Sequence, residues 1–169
     1  MAFVWIPVPA QISSKFLELT NEEKKTDHAE MHVTVFFLGK NTDRKQLLLA
    51  VEACSNVAEK FQPFSVIGAM LSSFPENPDH KSGVLIIVRL ISNDLMMLRE
   101  HLRLEFKKLG VEYDTKFLDY KPHVTIAYGS TQLNPKPIDP IKWDNSKIMI
   151  SGNGGMRDQF FTEMKLGKW

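Results

Sequence analysis

His32-Val33-Thr34-Val35-Phe36-Phe37-Leu38-Gly39 returns as His123-Val124-Thr125-Ile126-Ala127-Tyr128-Gly129, a little over half the chain further on. Two of the five histidines thus open segments that run through Val-Thr, a β-branched residue and an aromatic to a glycine. This is an internal repeat. Both copies read as strands, and in a strand residues i and i+2 share a face, about 6.7 Å apart. His32 and Thr34 therefore point together, with Val33 and Val35 on the opposite, apolar side. His123 and Thr125 do the same against Val124 and Ile126. If a pseudo-twofold axis sets the two strands side by side, one cleft holds two imidazoles and two hydroxyls. That set suits phosphoryl transfer. One imidazole takes a proton from the attacking hydroxyl, the other gives one to the leaving oxygen, and the threonines donate to non-bridging oxygens. Histidine fits both roles because its reference pKa lies near neutrality.

Around the repeat, strand and helix patterns alternate. Residues 2–8 put Phe3 and Trp5 on one face and Val4, Ile6 and Val8 on the other. Ile12, Phe16 and Leu19 mark a short amphipathic helix, and residues 21–30 read as a charged, solvated loop. Leu47, Val51, Cys54, Ala58 and Phe61 recur at helical spacing. Strands are predicted over 64–72 and 83–90. The next helix, capped by Asn93 or Asp94, has an inner face of Leu95, Leu98, Leu102, Phe106 and Leu109, and Gly110 stops it. After the second motif a loop carries Pro135, Pro137 and Pro140, and strands at 147–151 and 159–166 close the chain. No Pro/Gly/Ser-rich linker divides these elements, so residues 1–169 read as a single α+β domain.

Composition narrows the function. The chain has 169 residues, 21 basic and 20 acidic, and 43% apolar residues, enough to bury one core. A net charge of +1 argues against gripping duplex nucleic acid through a broad basic face. A nucleic-acid substrate would be a small piece held in a local cleft. The single cysteine, Cys54, excludes an internal disulfide framework and suits a reducing cytoplasm. The N-terminus lacks a basic region and meets Pro7 and Pro9, a poor signal peptide, and no apolar run has the length of a membrane span. A monomer without cofactor is expected.

MHVTVFFLGK and YKPHVTIAYG resemble the paired His-x-Thr/Ser signatures of the two-histidine (2H) phosphoesterases. The Pro-ended first strand AFVWIPVP, Phe-Leu-Gly after the first motif and Pro122 before the second add to the likeness, which spans essentially the whole chain. The superfamily includes RNA 2′,3′-cyclic phosphodiesterases, the so-called 2′-5′ RNA ligases, 2′-5′ oligoadenylate phosphodiesterases, and phage and viral enzymes that destroy cyclic nucleotide immune signals. A viral member would work in the host cytoplasm. The resemblance implies a bilobal α+β fold, with two antiparallel sheets lining a central cleft and helices outside. It also implies metal-independent chemistry and a catalytic set of His32, Thr34, His123 and Thr125.

Other residues carry two readings each. Trp5 is a base-stacking platform or a core tryptophan. Phe117, Tyr120 and Lys121, leading into the second motif, line a pocket or simply form a loop, and Lys121 could meet a phosphate. Tyr128, opposite His123 by parity, belongs to the core. His28 and His101 are solvated, and His80 is a surface-loop residue or a substrate contact. His28 and His32 would form a metal pair only on a helix, and the strand pattern argues against one. Arg99, Arg103 and Lys107 form a basic stripe read as a solvated face, and Cys54 is a small buried hydrophobe. The favoured function is a phosphodiesterase cleaving next to a ribose 2′-hydroxyl, in a small cyclic nucleotide or cyclic oligonucleotide. An RNA 2′,3′-cyclic phosphodiesterase or a 2′-5′ oligonucleotide phosphodiesterase is the alternative. The alternative of another class is a non-catalytic module that binds nucleotides or RNA ends.

Overall fold

Val4 and Ile6, Val33 and Val35, Ile86 and Val88, and Val124 and Ile126 are all buried in one core, which the inner faces of two long helices complete. These are the apolar faces of four strands, so the opposite faces are free to form a site. The computed structural model describes residues 1–78, 82–116, 119–158 and 161–167. The elements are β1 (Ala2–Pro7), α1 (Ala10–Leu17), β2 (Lys24–Lys25), β3 (His32–Gly39), α2 (Arg44–Lys60), β4 (Phe64–Phe74), β5 (Val84–Ile91), α3 (Asn93–Leu109), β6 (His123–Gly129), β7 (Lys136–Asn145), β8 (Lys147–Ser151) and β9 (Phe161–Lys165).

The strands make two antiparallel sheets, ordered β3-β1-β8-β9 and β2-β6-β5-β4-β7. Together with the helices they form an α+β fold. Laid on one another, the orders show the internal symmetry. The motif strand β3 pairs with β1, and β1 with β8; the motif strand β6 pairs with β5, and β5 with β4. The strand that follows the first motif, β4, lies in the second sheet, and β8, which follows the second motif, lies in the first. The two halves therefore exchange strands, and neither sheet is a contiguous piece of chain.

Several elements depart from the sequence pattern. The proline loop is the strand β7, which contains Pro137 and Pro140. It pairs only with β4 at the edge of its sheet, where a missing N–H is tolerated. Lys24 and Lys25, within the expected charged loop, pair with Tyr128 and Ala127 of β6. Ser92 caps α3 by accepting from Leu95 N at 3.1 Å, so Asn93 and Asp94 lie in the first turn. Gly110 ends that helix at φ +75°, a left-handed conformation that glycine adopts without strain. Gly68 of β4 is also constrained. A Cβ there would sit 2.9 Å from the Phe16 ring, which is how α1 seats on the sheet. Of the last predicted strand, 159–166, the residues Phe161–Lys165 are strand, and 159 and 160 lie outside the described residues.

Candidate active site

The two motifs carry the same local distortion. In β1–β3 the register runs Val4↔Phe36 and then Trp5↔Thr34, leaving Val35 as an extra residue. In β5–β6 it runs Ile86↔Ala127 and then Ile87↔Thr125, leaving Ile126 extra. Each strand thus has a bulge on the residue after the motif threonine, which bends it and resets the alternation beyond. Before the bulge, His32, Thr34, His123 and Thr125 are each half-buried, while Val33, Val35, Val124 and Ile126 are buried. The motif strands, one in each sheet, lie against one another.

Each imidazole is held identically. His32 Nδ1–H donates to the Glu30 carbonyl at 2.6 Å, and His123 Nδ1–H donates to the Lys121 carbonyl at 2.8 Å. A carbonyl only accepts, so both neutral rings carry their proton on Nδ1 and keep the Nε2 lone pair for chemistry. The His32 ring rests on Phe3 (5.0 Å between centroids) and on the edge of Trp5 (5.8 Å), and the His123 ring on the edge of Phe74 (4.8 Å). Burial holds His32 below the usual histidine value, opposed by the Glu30 carbonyl and the Glu30 charge. Burial also lowers His123, opposed by the Lys121 carbonyl, and the positive charges of His32 and Arg89 lower it further. The two rings therefore feel each other's charge, and a proton on one disfavours a proton on its partner.

Of the other residues singled out by sequence, Trp5 lies on the His32 side of its sheet, only 4% exposed, with Nε1–H donating to Ser151 Oγ at 2.9 Å. Its ring meets that of Phe161, 5.8 Å away and 47% exposed. Tyr120 Oη–H donates to the Thr34 carbonyl at 2.8 Å, which ties the approach to the second motif onto the first motif strand. The Lys121 side chain is exposed beside Asp119 at 3.4 Å, and its carbonyl is the part that holds His123. Phe117 and His80 lie outside the described residues.

Two expectations are overturned. Tyr128 does not enter the core, because the bulge at Ile126 inverts the parity. It stands across from Leu85, which stands across from Phe74, the ring that meets His123. Arg99 does not belong to a solvated stripe. Its guanidinium lies between the rings of Phe36 (4.1 Å) and Tyr120 (4.3 Å) and donates to the Val35 carbonyl. Sequence reasoning also missed Arg89, which stands directly across from His123. The available signal was a single charge in the otherwise apolar run Val84–Ile91.

The sequence model of the 2′-5′ RNA ligase superfamily matches residues 8–141, a span that contains both motifs. The chain belongs to that superfamily. As a 2H phosphoesterase it is an enzyme of a superfamily made up of phosphodiesterases, with phosphodiesterase or ligase-like activity. Solved structures agree on the fold. TT0787 of Thermus thermophilus superposes with a TM-score of 0.77 at 16% identity, over 98% of this chain and 97% of that one. LigT of E. coli gives 0.60 at 16% identity, over 97% and 94%. The PDE domain of MHV ns2 gives 0.58 at 15% identity, over 98% and 99%. No curated protein is similar enough in sequence to count as a match.

Proposed function

We propose that this 2H phosphoesterase cleaves a nucleotide phosphodiester beside a ribose 2′-hydroxyl, using His32 and His123 as general base and general acid. The carrying observation is the matched pair of Nδ1–H bonds to the Glu30 and Lys121 carbonyls, which leaves each Nε2 free. In the forward step one Nε2 takes the 2′-hydroxyl proton, O2′ bonds to phosphorus, and the bond from phosphorus to O5′ breaks. The other histidine, protonated at the start, gives its proton to O5′. The Thr34 and Thr125 hydroxyls, which no described residue engages, donate to the non-bridging oxygens. Water then opens the 2′,3′-cyclic phosphate with the proton roles reversed. All of this uses groups of residues 1–169 acting as one catalytic unit, and no metal.

The substrate we favour is a small cyclic nucleotide or cyclic oligonucleotide, the kind of molecule whose destruction silences a nucleotide immune signal. The net charge of +1 supports a small substrate over a long polyanion. E. coli LigT has been seen in complex with ATP and with 3′-AMP, both small nucleotides. The base would rest on Phe161, with Trp5 beneath it as support, a contact of about 1–3 kcal/mol in single-strand binders. Phe117 and the Lys121 side chain remain candidates for the rim.

A panel of cyclic dinucleotides, cyclic oligonucleotides, 2′-5′ oligoadenylates and RNA ending in a 2′,3′-cyclic phosphate, incubated in EDTA, tests this reading. Turnover of the cyclic oligonucleotides without metal supports it. Preference for RNA ends or 2′-5′ linkages transfers the substrate assignment to those classes. Binding without any product means a non-catalytic module and defeats the proposal.

A further inference from the structure

The pseudo-twofold that relates the motifs gives each residue of β1 a counterpart on β5. Trp5 stands across from Thr34 as Ile87 stands across from Thr125. Further along the same strands, Pro7 stands across from His32, and Arg89 stands across from His123. The two sides of the cleft are therefore alike in histidine and threonine but not in charge. A neutral proline flanks one imidazole and a guanidinium flanks the other.

Arg89 is placed at a cost. It sits within β5 with Val88 and Leu90 buried on either side, and Nε–H is buried with no hydrogen-bond partner among the described residues. A buried donor left without an acceptor is destabilising, more so on a charged group. Beside it is an imidazole that its charge works against. Arg99, the other half-buried arginine of this region, is fully employed between two rings and a carbonyl. Arg89 has no such employment among the described residues. An anion next to His123 would satisfy its free donor and offset its charge, and a planar guanidinium offers two parallel N–H groups that match phosphate oxygens.

We propose that Arg89 is the anion anchor of the cleft, binding a non-bridging oxygen of the reacting phosphate on the His123 side. The proposal rests on the reading of the site as a phosphodiesterase centre and adds a residue and a polarity to it. The phosphate is drawn to one side of the pseudo-twofold, although both motifs are intact. The contact strengthens as charge builds on the phosphorane oxygens, so it serves the transition state more than the bound substrate.

The test uses the full chain as wild type, Arg89→Met and Arg89→Lys. Ring resonances of His32 and His123 are followed by NMR against pH, with and without inorganic phosphate, alongside turnover of the best substrate in the panel. The charges acting on His123 are those of Arg89 beside it and His32 across the cleft. Arg89→Met is expected to raise the His123 titration midpoint, while that of His32 moves only downward through the charge the two rings exchange; loosened packing, which relieves burial, would instead raise both. It should weaken phosphate binding at least tenfold and lower kcat roughly 10²–10³-fold with a smaller change in KM. Arg89→Lys should keep the titration of His123 and recover part of the rate. If Arg89→Met fails to fold, the lysine variant decides, since loss of the fork alone must still weaken phosphate binding. Wild-type phosphate affinity and kcat in the variants overturn the anchor and leave the phosphodiesterase reading standing. If the wild type turns over nothing in the panel but binds phosphate only through Arg89, the anchor stands and the phosphodiesterase reading falls.

Discussion

His32 and His123 are tied by Nδ1 to carbonyls two residues earlier, so their chemistry is concentrated on Nε2. Replacing either with alanine is expected to lower kcat by roughly 10²–10⁴-fold, the usual worth of a general acid or base. The double variant should lose much less than the product of the two, because the proposed acid and base act in one step. A single variant with nearly normal kcat takes its histidine out of the chemistry. The same residues give a stability signature. Both histidines titrate below their unfolded value of about 6.5. Between the folded and unfolded values the unfolded chain binds more protons, so stability is full above about pH 6.5 and falls as pH drops toward the folded values. Replacing both by asparagine should flatten urea-unfolding free energy across that window. An unchanged slope would mean that burial does not disfavour the charged rings. The motif residues were legible in the sequence because a period of two ties His and Thr to one face in any strand. Arg89 was not, because its meaning depends on which strand lies next to β6.

At the scale of elements, alternation in the sequence carried most strands and both long helices, and failed at two kinds of place. One is the bulge. Counting by twos from His123 sends Tyr128 to the core, but the extra residue at Ile126 inverts the count, and nothing in Ile-Ala-Tyr announces it. The other is proline, which reads as a loop until the neighbouring strand shows that β7 is an edge. The long helix α3 shows a third limit, since a helical wheel cannot say which exposed-face residue reaches a neighbouring sheet. Arg99 does so, joining α3 to the first motif strand through Val35 and to the approach to the second through Tyr120. Its ring contacts are worth about 0.5–1 kcal/mol each and a bond to a charged donor about 1.5–3. Arg99→Met should lower unfolding free energy by roughly 2.5–5 kcal/mol with the urea m-value unchanged, whereas Arg103→Met, whose partner is the exposed Glu100, should leave it nearly unchanged. Equal effects would return Arg99 to the solvated stripe.

Taken as a whole, the molecule sets its two motif strands in two sheets that exchange strands, so His32 and His123, the proposed acid and base, come from opposite halves of one pseudo-symmetric arrangement. In the proposed metal-independent reaction the two imidazoles would have to activate water unaided, and burial, which lowers both, makes them weak bases for it. Attack by a hydroxyl already attached to the substrate is the easier route. A well-oriented internal nucleophile reaches effective molarities of order 10⁵ M or more, and the 2′-hydroxyl of a 3′-5′ linkage is placed for that attack. One histidine then has only to remove its proton while the other, from the opposite half, protonates O5′. A 3′-5′-linked ribonucleotide substrate is therefore expected to yield a 2′,3′-cyclic phosphate or its opened product. The 2′-deoxy counterpart should resist cleavage by at least about 10³-fold yet still compete as an inhibitor, since the proposed contacts to the base and to the phosphate do not involve the missing hydroxyl. Product analysis and competition with matched ribo and deoxy pairs separate the cases. Cleavage of the deoxy analogue at a similar rate would make external water the nucleophile, and the histidine on the side away from the leaving oxygen would then have to hold and deprotonate that water.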